Sequence, residues 1–195
     1  MGLQKHREAK RGVGATEMKK IFVINGSASA NSSNRKIIDY FADLTKGIFD
    51  VVIFNDLKTL PHFDPELSVV NTPKAILDLR NSIQNADGIL ICTPEYVFSI
   101  PSGLKNAIEW CISTNVFSDK PAGLITASAN GEKGHEELQL IMKTVMTSFI
   151  PETTLLIQGV KGKFGTHGHP IDSKTKDDLI KFTDAFKRLT ENGRC

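Results

Sequence analysis

Five short, continuous runs of apolar residues recur along the chain from Lys19 onward. Unbroken apolar runs are typical of strands that are buried on both faces of a sheet, whereas a half-exposed strand alternates apolar and polar positions. The pattern therefore predicts five strands, at residues 21–24, 51–54, 88–92, 122–126 and 154–157.

Between these runs lie amphipathic stretches in which apolar residues recur every three or four positions, as they do on the buried side of a helix. Pro73 and Pro101 suit the first turns of the second and third helices, and the fourth helix is expected to end before Pro151. The predicted buried positions are Ile37, Tyr40, Phe41 and Leu44; Ile76, Leu79, Ile83 and Ala86; Leu104, Ala107, Ile108, Cys111 and Ile112; Leu138, Ile141, Met142, Val145 and Phe149; and Leu179, Phe182, Phe186 and Leu189.

This alternation of strand and helix predicts an α/β fold: a five-stranded parallel sheet with helices on both faces and right-handed crossovers. In such sheets a ligand binds beyond the carboxyl ends of the strands, where the strand order reverses. For the order 2-1-3-4-5, that point lies between the first and third strands. The loops after these two strands are therefore the first places to look for chemistry.

The loop after the first strand, residues 25–34, combines four serines with Gly26 and a helix start. Hydroxyls and free backbone N–H groups at a helix N-terminus attract an anion such as a phosphate, although a plain strand-to-helix turn has a similar composition. The loop is not a Walker A motif, because no Gly-Lys-Ser/Thr follows. It also lacks the Gly-x-Gly-x-x-Gly pattern. A mononucleotide phosphate is therefore favoured over a pyrophosphate.

The loop after the third strand, residues 93–101, holds two prolines and two aromatic residues. A flat heteroaromatic ligand needs a stiff backbone edge with apolar cover, which Pro94, Tyr96 and Phe98 could provide. The alternative is an aromatic-rich turn that closes the core.

Composition and charge narrow the function classes. Of the 24 basic and 22 acidic residues, four basic and two acidic ones lie within residues 1–17, so the rest of the chain is neutral. A neutral body disfavours a nucleic-acid-binding surface. We expect residues 1–17 to be a disordered basic extension and residues 18–195 to form a single domain.

No apolar run approaches the length of a membrane span, and residues 1–17 lack the apolar stretch of a secretory signal. The three cysteines, Cys92, Cys111 and Cys195, are an odd number at spacings that suggest neither a disulfide framework nor a zinc site. We therefore expect a cytoplasmic protein with no membrane partner.

Two motifs carry a family resemblance. The first is Gly26-Ser27-x-Ser29-x-x-Ser32-x-Asn34, and the second runs Thr93-Pro94-Glu95-Tyr96-x-x-Ser99-x-Pro101-x-x-Leu104-Lys105-Asn106-Ala107-Ile108-Glu109-Trp110. Together they resemble the NADPH-dependent FMN reductase family over roughly residues 19–150. The resemblance implies a flavodoxin-like fold and bound FMN, with NADPH or NADH as co-substrate.

The resemblance also implies a set of FMN-binding residues. The phosphate would be held by Ser27, Ser32 and Asn34, the isoalloxazine ring would be lined by Pro94, Glu95 and Tyr96, and its other edge would be approached by Ser128 and Gly131. Ser29, Ser33 and Val97 complete the set of expected FMN-binding residues. The chain departs from the family at two positions. Ser29 stands where an Arg is usual, and Val97 where Asn or His is usual. These departures leave the phosphate affinity and the choice between NADPH and NADH open.

The function implied by the resemblance is transfer of electrons from NAD(P)H through FMN to a flavin, quinone or similar small-molecule acceptor, by a ping-pong mechanism. A flavodoxin-like electron carrier or a redox sensor is the alternative. The chain has neither the Thr/Ser-x-Thr-Gly-x-Thr loop nor the strongly acidic surface of such carriers.

Family members are commonly dimers or tetramers, so a homodimer or homotetramer is expected. The contact would involve residues 101–114 and the long loop at residues 55–71. Trp110 lies just off the buried stripe of its helix, where it could anchor the contact or be partly buried within its own chain.

The remaining chemistry-bearing residues have ordinary interpretations. Thr166-His167-Gly168-His169 is expected to be a solvated loop, since two histidines without Cys or carboxylate partners seldom hold a metal. Cys92 and Cys111 are expected to be inert core thiols, and Glu109 an exposed helix carboxylate. We assign no catalytic side chain, because the flavin supplies the redox chemistry.

Overall fold

A computed structural model describes residues 18–29, 31–165 and 168–192. Residues 1–17, which are expected to be disordered, lie outside these ranges, and so do His167 and Cys195. The described chain contains the predicted sheet, with strands β1 (Lys19–Asn25), β2 (Phe49–Phe54), β3 (Gly88–Thr93), β4 (Ala122–Ala127) and β5 (Thr154–Ile157). All neighbouring strands pair in parallel, in the order β2-β1-β3-β4-β5, which confirms the predicted topology.

In the described part of the chain, four helices connect the strands and a fifth follows the last strand: α1 (Ser33–Leu44), α2 (Lys74–Gln84), α3 (Ser102–Glu109), α4 (Glu132–Thr144) and α5 (Ser173–Asn192). Short 3₁₀ turns occur at Leu57–Thr59 and Pro151–Thr153. Pro73 and Pro101 directly precede α2 and α3, where a residue without an N–H interrupts no helical hydrogen bond.

The sheet has one hydrophobic core on each face because successive side chains of a strand point to opposite sides. Along β1, for example, Phe22 and Ile24 pack with the residues of α2, α3 and α4, whereas Ile21 and Val23 pack with those of α1 and α5. The continuous apolar runs of the strands are therefore explained by burial on both sides. Within the described residues, no helix combines the length and the apolar character needed to cross a bilayer.

Two helices are shorter than predicted. Helix α3 ends at Glu109, and the predicted buried Ile112 is 58% exposed. Helix α4 ends at Thr144, although the apolar pattern continues to Phe149. The reason is tertiary: after Met146, with φ of 62°, the chain turns back and Ser148 exchanges backbone hydrogen bonds with Lys120 and Ala122. Val145 and Phe149 still pack against the core, but outside the helix.

Candidate functional site

The loops after β1 and β3 meet at the carboxyl edge of the sheet, as expected for a reversal of strand order. Gly26 donates its backbone N–H to the Cys92 carbonyl at 2.8 Å. A Cβ atom at Gly26 would lie 2.4 Å from Thr93 Oγ1, so only glycine allows the two strand ends to approach this closely. This contact holds the ends of β1 and β3 together at the base of the site.

Internal hydrogen bonds shape the loop after β1. The Ser27 N–H donates to Asn25 Oδ1 at 3.1 Å, and the Ser29 N–H donates to Ser27 Oγ at 3.2 Å. Ser32 caps α1 by accepting the Arg35 N–H on its hydroxyl at 3.1 Å. The N–H groups of Ser33 and Asn34 begin the helix and have no partner within it, so they form the anion-attracting end of α1.

Asn34 corrects an expectation. Its side chain is 3% exposed, and its amide donates to the Ala127 carbonyl at 3.2 Å while its Oδ1 lies 3.3 Å from Cys92 Sγ. The amide therefore joins α1 to the ends of β3 and β4 and is not available to hold a phosphate. Only the backbone N–H of Asn34 remains for that role.

A cavity of about 570 Å³ opens between the loops after β1 and β2 and the start of α3. Of the predicted FMN-binding residues, Ser27, Ser29 and Tyr96 line it. The cavity lining does not include the other predicted residues: Ser32, Ser33, Asn34, Pro94, Glu95, Val97, Ser128 and Gly131. The remaining walls are formed by Asn25, Gly26, Ala28, Arg35, Asn55, Asp56, Leu57, Lys58, Leu60, His62, Pro101, Ser102, Gly103 and Asn106.

Several of these lining residues were missed from the sequence, and Arg35 is the most informative. It lies in the first turn of α1, which contains no acidic residue. A cation is unfavourable there because the helix dipole is positive at this end. Its Nε lies 2.8 Å from Asp39 Oδ1 in a partly exposed ion pair. The signal available in the sequence was a basic residue directly after Asn34 at the start of the helix. Arg35 would bring to the cavity the positive charge that Ser29 lacks.

Glu95 also differs from the expectation. Its carboxylate accepts the backbone N–H of Gly131 at 3.2 Å and of Gly134 at 2.8 Å, so it caps the N-terminus of α4. A Cβ atom at Gly134 would lie 3.2 Å from Glu95 Cβ, which shows how closely the loop and the helix pack. The Glu95 side chain is thus directed at α4, and Ser128 Oγ donates to the Glu95 carbonyl at 3.4 Å. These contacts join the loops after β3 and β4.

The loop after β3 contains a tight turn. Tyr96 and Ser99 exchange backbone hydrogen bonds of 2.9 and 3.1 Å, which closes a hairpin with Val97 and Phe98 at its tip. Glu137 of α4 holds the turn from below: its Oε2 accepts from Ser99 Oγ at 2.6 Å and from the Ile100 N–H at 2.8 Å.

The long loop after β2 packs on α3 of its own chain. Trp110 is fully buried, and its indole N–H donates to the Pro61 carbonyl at 2.8 Å while its ring meets Phe63 edge-on at 5.5 Å. The interpretation of Trp110 as a subunit anchor is therefore wrong, because its ring is fully buried within its own chain. Buried Arg80 holds the other end of the loop by donating to Ser68 and to the Trp110 carbonyl.

The two described cysteines are free thiols in apolar surroundings. Burial raises the pKa of Cys92 above its ordinary value and the pKa of Cys111 to about 12. Both thiols are therefore protonated near neutral pH, in agreement with their expected inertness.

The histidine pair after β5 is only partly described. His169 packs edge-on against Tyr40 with ring centroids 5.8 Å apart, and His167 lies outside the described residues. Among the residues that the structure describes, no three His, Cys, Asp or Glu side chains form a group that could hold a metal ion.

The fold and the site together define a class. A parallel sheet of order 2-1-3-4-5, with a hydroxyl-rich loop and a helix N-terminus at its reversal point, is that of a flavodoxin-like nucleotide-binding protein. The model of the NADPH-dependent FMN reductase family matches residues 19–161. The chain belongs to this family, and is an NAD(P)H-dependent reductase with FMN as its cofactor.

Individual relatives agree with this assignment. An NADPH:quinone oxidoreductase of Arabidopsis thaliana is 32% identical over 179 residues, which cover 88% of this chain and 91% of the plant protein. An NADPH azoreductase of Bacillus sp. strain OY1-2 is 26% identical over 87% of this chain and 96% of its own. The solved structure of the flavoenzyme FerB, an NAD(P)H:(acceptor) oxidoreductase from Paracoccus denitrificans, is 28% identical with a TM-score of 0.75, covering 89% of this chain and 98% of FerB.

Proposed function

We propose that this protein reduces quinone-type acceptors with NAD(P)H. The observation that carries the proposal is the cavity at the reversal point of the sheet, which places Ser27, Arg35 and Tyr96 around one space large enough for a nucleotide and a flat ring. The quinone oxidoreductase from Arabidopsis, with 32% identity, supports the acceptor class. In the net reaction a quinone gains a hydride equivalent from NAD(P)H and a proton from water, which gives a quinol and NAD(P)⁺.

The described residues fit FMN. The backbone N–H groups of Ser33 and Asn34, the hydroxyls of Ser27 and Ser29 and the guanidinium of Arg35 would hold its phosphate. The rigid loop after β3 would support the ring at Pro94 and Tyr96, with Ser128 and Gly131 near the far edge. When bound, FMN supplies the two-electron chemistry, and the protein supplies binding, orientation and exclusion of water.

We further propose that NAD(P)H and the acceptor bind in turn at the same cavity, which corresponds to a ping-pong mechanism. The proposal is supported by the cavity of about 570 Å³ at the carboxyl edge, which offers one space to both substrates. The free thiols of Cys92 and Cys111 support a cytoplasmic location, where disulfides are rare.

A homodimer or homotetramer remains part of the proposal, through the same two segments at residues 55–71 and 101–114 but without Trp110. Val69, Val70 and Ile112 are exposed, and we name them the α3-side patch. Their chain neighbours Ser68 and Ser113 are hydrogen bonded at 2.8 Å, so the two segments that carry the patch lie side by side. Two relatives are each named a subunit, an NADH-dependent flavin reductase of Lactobacillus johnsonii and an NADH:(hydroxy)cinnamate reductase of Vibrio ruber, which supports assembly within the family.

The decisive experiment uses the purified full chain reconstituted with FMN. Its absorption spectrum should be that of a bound flavin, and anaerobic addition of NADPH or NADH should bleach it, with colour returning on addition of a quinone. Denaturation should release FMN and no FAD. A protein that binds FMN but is not bleached by either nucleotide would instead be an electron carrier or sensor.

A further inference from the structure

Val97 and Phe98 occupy backbone conformations that their side chains disfavour. Their φ angles are 52° and 60°, and they form the tip of the two-residue hairpin between Tyr96 and Ser99. Two consecutive positive φ angles are the signature of a type I′ turn, which strongly prefers Asn-Gly. Positive φ is most strained for β-branched and bulky residues. This turn therefore carries two of the least suitable residue types.

The packing of the chain does not compensate for this strain. The Val97 residue is 94% exposed and Phe98 is 71% exposed, so neither side chain gains stability from burial in its own fold. Strained backbone that persists without a structural benefit is typical of functional sites. Exposed apolar side chains in such a place are typical of a binding surface.

The turn lies beside the cavity and is held firmly. Tyr96 and Pro101, on either side of the turn, both line the cavity. Glu137 accepts hydrogen bonds from Ser99 and Ile100, and Glu95 is bonded to the start of α4. The turn that carries the two exposed apolar side chains is therefore flanked on both sides by residues that line the cavity.

We propose that Val97 and Phe98 bind the apolar part of the electron acceptor, so that the enzyme prefers aromatic quinones of low polarity over hydrophilic acceptors. This inference rests on the proposed function and names the substrate class of the same site. The cavity lining also includes Arg35, Lys58 and His62, whose basic side chains suit the phosphates of FMN and NAD(P)H. The area of two side chains is too small for a subunit interface, but it matches the area of one planar ligand.

The test is the double substitution Val97→Asn/Phe98→Gly, which installs the sequence that the turn prefers and keeps its backbone. The melting temperature of the holoenzyme should rise by about 4 °C or more because strain is relieved at two positions. KM for menadione, an apolar naphthoquinone, should increase about fivefold or more because its apolar contact is lost. The ratio of KM for menadione to KM for ferricyanide should therefore rise in the variant, because ferricyanide is hydrophilic and has no apolar face.

An unchanged KM for menadione in the stabilised variant would overturn the inference, as would a fall in oligomeric mass, which would make the turn a subunit contact. Equilibrium dialysis of menadione against the oxidised holoprotein separates this inference from the proposed function. If the native protein fails to oxidise NAD(P)H, weaker menadione binding by the variant would still support the apolar contact. Equal binding by both proteins would contradict it.

Discussion

Arg35 shows how one residue can compensate for a departure from its family. Ser29 stands where an Arg is usual in this family, yet the Arg35 side chain lines the same cavity from the first turn of α1. Asp39 pairs with its Nε at 2.8 Å, which orients the guanidinium and offsets the unfavourable dipole. A phosphate at this helix end would supply the second, stronger partner.

We expect Arg35→Gln to weaken FMN binding about tenfold or more, since charge-assisted hydrogen bonds to a phosphate are lost. Riboflavin, which has no phosphate, should bind the variant as well as it binds the native chain. Fluorescence titration of the apoprotein measures both affinities. The matched control is Arg188→Gln on α5, which should affect neither ligand. Equal weakening of both flavins would show that Arg35 supports the loop and does not contact the phosphate.

His135 gives a pH-dependent prediction. It lies on α4 with Nδ1 3.0 Å from Thr126 Oγ1, and burial lowers its pKa below the ordinary value. Above pH of about 6.5, histidine is neutral in both the folded and the unfolded chain and contributes no pH dependence. Below that pH the unfolded chain takes up the proton more readily, so the folded state loses stability as the pH falls.

The substitution His135→Gln keeps a hydrogen-bonding side chain and removes the titration. The native protein should therefore lose more free energy of unfolding than the variant between about pH 7.5 and about pH 5.5. Urea denaturation at both pH values measures the difference. Identical losses in the two proteins would assign the acid sensitivity to other groups.

At the scale of elements, two carboxylates join the loop after β3 to α4. Glu95 from the loop caps α4, and Glu137 from α4 accepts hydrogen bonds from the hairpin. Gly134 allows the close packing, because a larger residue would press on Glu95. These hydrogen bonds hold the loop after β3 against α4.

Glu95→Gln should lower the free energy of unfolding by about 1–2 kcal/mol, because a charged acceptor at a helix N-terminus is replaced by a neutral one. FMN and riboflavin should both bind more weakly and to the same extent, since the loop supports the ring that they share. Chemical denaturation and flavin titration provide the two readouts. The control Glu136→Gln alters only an exposed i,i+3 pair with Lys133 and should cost less than about 0.5 kcal/mol. Selective loss of FMN alone would place Glu95 near the phosphate.

At the scale of the whole molecule, Trp110 is buried within its own chain, so within residues 55–71 and 101–114 the proposed subunit contact rests on the α3-side patch. A lysine at Val69 or Ile112 should place an unpaired charge in the contact and reduce the mass measured by light scattering at micromolar concentration toward the 21.4 kDa of one chain. Ile171→Lys is the control, because Ile171 is exposed beside α5 on the opposite face of the sheet. An unchanged mass in the patch variants, or a native protein that is already monomeric, would contradict this proposal.

The proposed sharing of one cavity by NAD(P)H and the acceptor predicts a kinetic pattern. If nucleotide and acceptor occupy the same space in turn, initial rates against NAD(P)H at several quinone concentrations should give parallel double-reciprocal lines. Intersecting lines, together with direct evidence of a ternary complex, would mean that the two substrates have separate binding sites.

The sequence by itself determined the sheet. Apolar runs such as residues 21–24 identify strands because burial on both faces excludes polar side chains, and the two motifs predict an FMN site in the loops after β1 and β3. Helix ends were less predictable: α4 stops at Thr144 because Ser148 pairs with residues 120 and 122, which are distant in sequence.

Only the tertiary structure decided where the side chains point. Asn34, Glu95 and Trp110 were each expected to face a ligand or a partner, and each is instead bonded within the chain, to Ala127, to the start of α4 and to Pro61. A motif specifies which residue types meet at a site, but a polar side chain bonds to whichever buried backbone group lies within reach. That choice depends on segments brought together by folding, and the local sequence contains no record of it.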